Sequence, residues 1–174
     1  MKYDPGIHRR RSVRLARYDY AQPGAYFVTI CTYNRELSLQ ADQVKEAVRS
    51  VWLGLPARFP RVVLDEFVIM PNHLHGIIIL APTAARKGAA SSAPTLGQII
   101  RAFKSLAAIE ANRILCSSER PFWQRNYYEH IIRNEDELNI IQQYIRDNPL
   151  KWDLDPDNPA NVSEQEVQLP DRMV

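Results

Sequence analysis

Two cysteines in 174 residues, Cys31 and Cys116, are too few and too far apart for a disulfide scaffold, and no CxxC pair offers a zinc knuckle. No apolar run approaches the length that spans a bilayer. The opening Met1-Lys2-Tyr3-Asp4-Pro5 has no signal-peptide core, so the expectation is a soluble cytoplasmic protein without a membrane partner. Charge of one sign is also lacking: a formal net charge of +2 and a pI near 8.6 identify no partner class. What is present, 45% hydrophobic and 24% charged residues, suits one globular domain with a real core. Histidine is scarce as well. Of four in the chain, two fall within the tripeptide His73-Leu74-His75.

The charge is unevenly placed. Residues 1–20 carry Lys2, Arg9, Arg10, Arg11, Arg14 and Arg17 against Asp4 and Asp19, whereas residues 150–174 lean acidic. A basic arm of this kind attracts a phosphate backbone; the alternative is a solvated N-terminus. His8, inside the arm, is not expected to be a ligand.

Ala25 to Tyr33 is β-branched and aromatic after Pro23-Gly24, and predicts a strand. Ala41 to Leu55 places Val44, Ala47, Val48, Val51, Trp52 and Leu55 at amphipathic-helix spacing. Arg61 to Met70 predicts a second strand. Pro71-Asn72 is a turn, and His73 to Leu80 a third strand that pairs back as a hairpin. This third strand is apolar on both faces, so it belongs in the centre of a sheet. Residues 81–94, rich in Ala, Ser and Pro, read as a flexible loop. Thr95 and Gln98 form a capping box for a helix running to about Leu115. Arg101 and Lys104 on it share a face and are candidates to track phosphates.

Phe122 to His130 interleaves aromatics with polar groups. Such a segment can stack unpaired bases, but for Phe122 and Trp123 a core role is favoured. Asn134 with Glu137 three residues on caps a further helix, which runs to about Asp147 and is stopped by Pro149. From Leu150 onward an extended tail, wrapped on the domain or partly disordered, is expected.

Two histidines at i and i+2 of a strand share one face, and neutral imidazole is the commonest metal ligand. Tyr144 and Asn148 lie one turn apart on the late helix. Together they suggest a site in which His73, His75 and the Asn148 amide oxygen hold a divalent ion while the Tyr144 phenol acts as nucleophile. Free tyrosine has a pKa of about 10 and needs help to ionise. An ion beside a phosphodiester would polarise it for in-line attack and offset transition-state charge. Mixed nitrogen and oxygen ligands with open positions suit Mg²⁺ or Mn²⁺. Tyr127 and Tyr128 are rival nucleophiles. Glu129 and Asp147 are candidates to assist the metal or the proton. His130 is a candidate fourth ligand or base contact, with a structural role favoured.

With these elements in order, the chain resembles the REP-associated tyrosine transposases, of the HUH (His-hydrophobic-His) single-strand-DNA transposase superfamily. The resemblance covers roughly Tyr18 to Trp152. It is carried by Gly24-Ala25-Tyr26-Phe27-Val28-Thr29-Ile30, Met70-Pro71-Asn72-His73-Leu74-His75, Phe122-Trp123-Gln124-Arg125, His130-Ile131-Ile132-Arg133-Asn134 and Tyr144-Ile145-Arg146-Asp147-Asn148-Pro149. It implies an α+β fold: a ferredoxin-like antiparallel sheet flanked by helices, with the histidines on a central strand and the catalytic tyrosine, Tyr144, on a late helix. It implies cleavage and rejoining of hairpin-flanked single-stranded DNA through a 5′-phosphotyrosine, without ATP, by a monomer or homodimer. The expected layout is a basic arm over 1–20, a catalytic domain over 21–152 containing the 81–94 loop, and a tail over 153–174. Candidate DNA contacts are Arg9, Arg10, Arg11 and Arg14 in the arm, Arg101 and Lys104, and then Trp123, Arg125, His130 and Arg133. A DNA-binding protein of repeat elements without turnover is the alternative. A small-molecule enzyme would leave the basic arm unexplained.

Overall fold

The structure, a computed structural model, describes residues 19–82, 94–117, 120–155 and 158–162. Strand β1 (Gly24–Cys31) is followed by helices α1 (Asp42–Leu53) and α2 (Leu55–Arg58). Strands β2 (Val62–Ile69) and β3 (His73–Leu80) form a hairpin, and helix α3 (Leu96–Leu115) leads to β4 (Tyr128–Ile132). Helix α4 (Glu135–Asp147) runs into a 3₁₀ helix (Asn148–Leu154), and a single turn, α5 (Pro159–Val162), ends the described chain. The strands pair antiparallel in the order β2-β3-β1-β4. This is the ferredoxin-like α+β arrangement, with β3 and β1 in the middle.

One face of the sheet packs on α1 and α3. Tyr26, Val28, Ile30, Leu74 and Ile78 meet Val44, Val48, Trp52, Ile100 and Phe103 in the larger core. Gly76 belongs to this packing: a Cβ there would lie 2.5 Å from Trp52 Cζ2. The other face is covered by α4, through Phe27, Ile77, Ile132 and Ile145 with Leu138, Ile141 and Tyr144 around them. The two faces follow from the period of two along each strand. Leu74 enters the larger core while its neighbours His73 and His75 face the other way.

The capping box of α3 is present. Gln98 N donates to Thr95 Oγ1 at 3.3 Å, and Thr95 N donates to Gln98 Oε1 at 2.9 Å. Asn134 caps α4 by accepting from Glu137 N at 2.8 Å. Three expectations need correction. The first helix stops at Leu53, because Gly54 and Pro56 open a separate turn. The segment up to His130 contains the start of β4, whose pairing with β1 supplies the order that local alternation did not show. The chain beyond Asp147 is a 3₁₀ helix through Leu154 rather than extended, with Pro149 near its N-terminus, where a missing N–H costs nothing. The expected arm over 1–20 lies outside the described residues up to residue 18, as do most of the 81–94 loop and residues 163–174.

Candidate active site

Position on β3 buries both histidines. His73 is 1% and His75 4% exposed, and their ring centroids are 4.5 Å apart. Each ring is held from behind. The register sets Thr29 opposite His75, and Thr29 Oγ1 lies 2.8 Å from His75 Nδ1. Asn72 Oδ1 lies 2.7 Å from His73 Nδ1. The orientation of the Asn72 amide follows from its other end, where Nδ2 donates to the Arg35 carbonyl at 3.3 Å. An amide oxygen only accepts, so His73 carries its proton on Nδ1 and keeps a lone pair on Nε2, the arrangement typical of a metal-ligating histidine. Asn72 is itself fixed, its carbonyl accepting from Thr32 N and Thr32 Oγ1, both at 2.9 Å.

Helix α4 brings the phenol over this pair. Tyr144 Oη is 3.3 Å from His75 Nε2. Phe27 stacks on His75 at 5.4 Å and meets Tyr144 edge-on at 6.1 Å, so one ring orients both partners. One turn later Asn148 is 4% exposed, and its Oδ1 has no hydrogen-bond partner among the described residues. A buried amide oxygen left unsatisfied costs about 1–3 kcal/mol. One more turn on, the Trp152 ring lies 6.2 Å from His73. Tyr144, Asn148 and Trp152 therefore place Asn148 on the helical face that covers the histidines.

Burial, then the charges of His73 and Arg35, hold the His75 pKa well below its ordinary value. The imidazole is neutral at pH 7, which is the ligand form. Among the described residues no three His, Cys, Asp or Glu side chains cluster as a metal site. The donor set that fits a divalent ion is thus two imidazoles and the unsatisfied Asn148 oxygen, with remaining positions open to substrate.

The sequence model of the family described as "Transposase IS200 like" matches residues 24–148. The chain belongs to the IS200-like transposases. A 40% identical relative from Haemophilus influenzae, whose own function is uncharacterised, aligns over 88% of this chain and 96% of its own length. A second protein from that organism, provisionally named a REP-associated tyrosine transposase, is 29% identical over 78% of this chain and 75% of its length. Among solved structures, a REP-associated tyrosine transposase bound to a REP hairpin superposes with TM-score 0.53 at 23% identity, over 79% of this chain and 73% of that one. A provisionally assigned transposase from Deinococcus radiodurans superposes with TM-score 0.50 at 18% identity, over 77% and 95%. The resemblance to the REP-associated tyrosine transposases is one of homology in sequence and of fold.

The transposase distributes its other candidate residues unevenly. Tyr127 packs against the larger core, on the opposite side of the sheet from the histidines. Tyr128 shares their face, but burial and then Glu137 push its pKa up, making its phenol harder to ionise. Glu129 pairs with Val28 and so points to the α3 side, away from the histidines. Asp147 accepts from Gln143 at 2.7 Å and Lys151 at 3.3 Å. His130 Nε2 lies 2.7 Å from Glu137 Oε1, a structural tie between β4 and α4 rather than a fourth ligand.

For Trp123 the favoured core role holds, and the expected phosphate contact of Lys104 is corrected. Trp123 is 5% exposed and packs on Phe122 and Phe103, so its indole presents no face to a base. The Lys104 ammonium donates to the Gln124 and Arg125 carbonyls, and burial lowers its pKa. It anchors a loop instead of a phosphate. Arg101, Arg125 and Arg133 are exposed. Arg9, Arg10, Arg11 and Arg14, like His8, lie outside the described residues. Sequence reasoning missed Arg35, and held Phe27 and Thr29 only within a motif, without roles. Asn72 was in a quoted motif without a role; only strand register and the Asn72 amide reveal what these residues do.

Proposed function

We propose that this transposase cleaves and rejoins single-stranded, hairpin-flanked DNA of the REP type through a 5′-phosphotyrosine on Tyr144. The observation that carries the reading is Tyr144 Oη at 3.3 Å from the buried, neutral His75. The Tyr144 oxygen attacks the scissile phosphorus and forms the new P–O bond. The phenol gives up its proton to solvent, the P–O3′ bond breaks in line, and the departing 3′ oxygen takes a proton from solvent, so that no net proton is consumed. A 3′-OH later attacks the phosphotyrosine and restores the phenol, so the bond energy is retained without ATP.

His73, His75 and Asn148 would hold Mg²⁺ or Mn²⁺, which when bound supplies positive charge at the scissile phosphate. The chain's own residues do the rest. Phe27 fixes the phenol and the imidazole relative to one another. Asn72 and Thr29 hold the two rings in ligand geometry. Arg35, whose charge is felt at His75, would add positive charge near the site. Exposed Arg101, Arg125 and Arg133, with Arg9, Arg10, Arg11 and Arg14 of the arm, would follow the DNA backbone. His130 supports this surface through Glu137. The related transposase bound to a REP hairpin supports the choice of substrate. No helix among the described residues is long and apolar enough to cross a membrane. A basic arm over 1–20, a catalytic domain over 21–152 and a tail over 153–174, acting as monomer or homodimer, completes the reading.

Incubation with labelled hairpin-flanked single-stranded DNA and Mn²⁺, followed by denaturing electrophoresis, tests it. Wild type should give a covalent protein–DNA band that Tyr144→Phe abolishes while binding persists. Binding by wild type with no adduct on any such substrate would favour a repeat-DNA binder without turnover.

A further inference from the structure

Strand β2 is irregular at one place. Leu64 pairs with Ile78 and Phe67 with Gly76, so Asp65 and Glu66 together stand opposite Ile77 alone. Consecutive residues of a regular strand point to opposite faces. A bulge breaks that rule and re-aims side chains. Here both carboxylates reach the same helix. Gln142 Nε2 donates to Asp65 Oδ1 at 2.9 Å and Oδ2 at 3.0 Å. Arg146 Nε and Nη2 both donate to Glu66 Oε1 at 2.9 Å. Gln142 and Arg146 are one turn apart on α4, and Tyr144 lies midway between them in sequence.

We propose that the Asp65–Glu66 bulge is a positioning clamp for the nucleophile: by gripping Gln142 and Arg146 it sets the rotation and height of α4, and so the place of the Tyr144 phenol over His75. The inference rests on the reading of Tyr144 as the nucleophile. The His130–Glu137 tie holds only the N-terminal part of α4, and the apolar contacts of Leu138, Ile141 and Ile145 leave the part that carries Tyr144 freedom to slide. Two polar contacts with defined directions, one on each side of the tyrosine, remove that freedom. In-line attack tolerates little displacement; a shift of about 1 Å costs on the order of 100-fold in rate. Asp65, Glu66, Gln142 and Arg146 touch neither the histidines nor the phenol in the contacts that hold them, so they act through Tyr144's placement.

A charge-swap cycle tests the clamp. Glu66→Arg, Arg146→Glu and the double variant Glu66→Arg/Arg146→Glu are compared with wild type for the single-turnover rate of adduct formation on saturating hairpin DNA with Mn²⁺. DNA affinity, thermal midpoint and hydrogen exchange of α4 are measured alongside. Each single variant should lower the adduct rate at least tenfold and speed exchange in α4, with a folded thermal transition retained, and the double variant should recover most of the rate. Asp65→Ala should slow the reaction in the same direction without changing net affinity by more than a few fold. Single variants that react at the wild-type rate, or a double variant no faster than either single, would overturn the clamp. A wild type that forms no adduct would instead remove the reading of Tyr144, and the inference with it.

Discussion

The Tyr144 hydroxyl and His75 Nε2 are 3.3 Å apart although 69 residues separate them in the chain. A phenol brought against a buried neutral imidazole is oriented by the hydrogen bond and by the shared Phe27 ring. The contact ties the late helix to the central strand, and the predictions below probe what each side of it contributes.

In the proposed site Asn148 would supply the third ligand, its amide oxygen. Asn148→Ala should weaken Mn²⁺ binding, measured by titration with paramagnetic detection, by at least tenfold and slow adduct formation in parallel. Asn148→Asp keeps an oxygen donor and should retain binding. Equal Mn²⁺ affinity for Asn148→Ala and wild type would exclude this residue as a ligand.

Asn72 acts one step further out. Outer-shell partners of ligating histidines are worth about 10–100-fold in metal affinity. Asn72→Ala should show a loss in that range, with His73 free to rotate and its Nδ1–H left buried. DNA affinity measured without metal should be unchanged, which separates the effect from unfolding.

Gly76 is a packing position beside the site. Any Cβ there meets the Trp52 ring at 2.5 Å. Overpacking of this kind costs about 1–3 kcal/mol, so Gly76→Ala should lower the thermal midpoint measurably. A midpoint equal to wild type would mean that Trp52 moves aside without cost.

Acid stability should report on Glu137. Its pKa is lowered, first by the hydrogen bond from Arg133 N at 2.7 Å and then by His130, against an opposing effect of burial. A depressed carboxyl stabilises the fold above its unfolded pKa, and that contribution disappears as pH falls through the lower folded value. Denaturant midpoints should therefore drop more steeply below the ordinary glutamate range in wild type than in Glu137→Gln. Parallel curves would refute the assignment.

The N-terminal arginines should appear in the salt dependence. Replacing Arg9, Arg10 and Arg11 by alanine should flatten the slope of log affinity against log salt by about two, since each phosphate contact to a single strand contributes about 0.7. An unchanged slope would show that these side chains do not touch phosphate.

Much of this was legible along the chain because it depends on near neighbours. The period of two put His73 and His75 on one face, and the hairpin followed from Pro71-Asn72 between two apolar runs. The caps at Thr95 and Asn134 involve residues three positions apart. The pairing of Tyr144 with Asn148 is one helical turn. The sequence by itself therefore determined β3, the ends of α3 and α4, and which residues make up the two halves of the candidate site.

Only the tertiary structure decided how those halves meet. Thr29 reaches His75 across 46 positions, and Gln142 reaches Asp65 across 77. β4 was hidden because an edge strand only five residues long, with aromatics beside it, has too little alternation to separate from core packing. Lys104 looked available for DNA until folding set its ammonium on two carbonyls. The bulge at Asp65–Glu66 leaves no mark in local propensity, because it exists only relative to the partner strand. Periodicity and capping act within a few residues, whereas register, burial and polar partnership are properties of contacts that form only when the sheet closes.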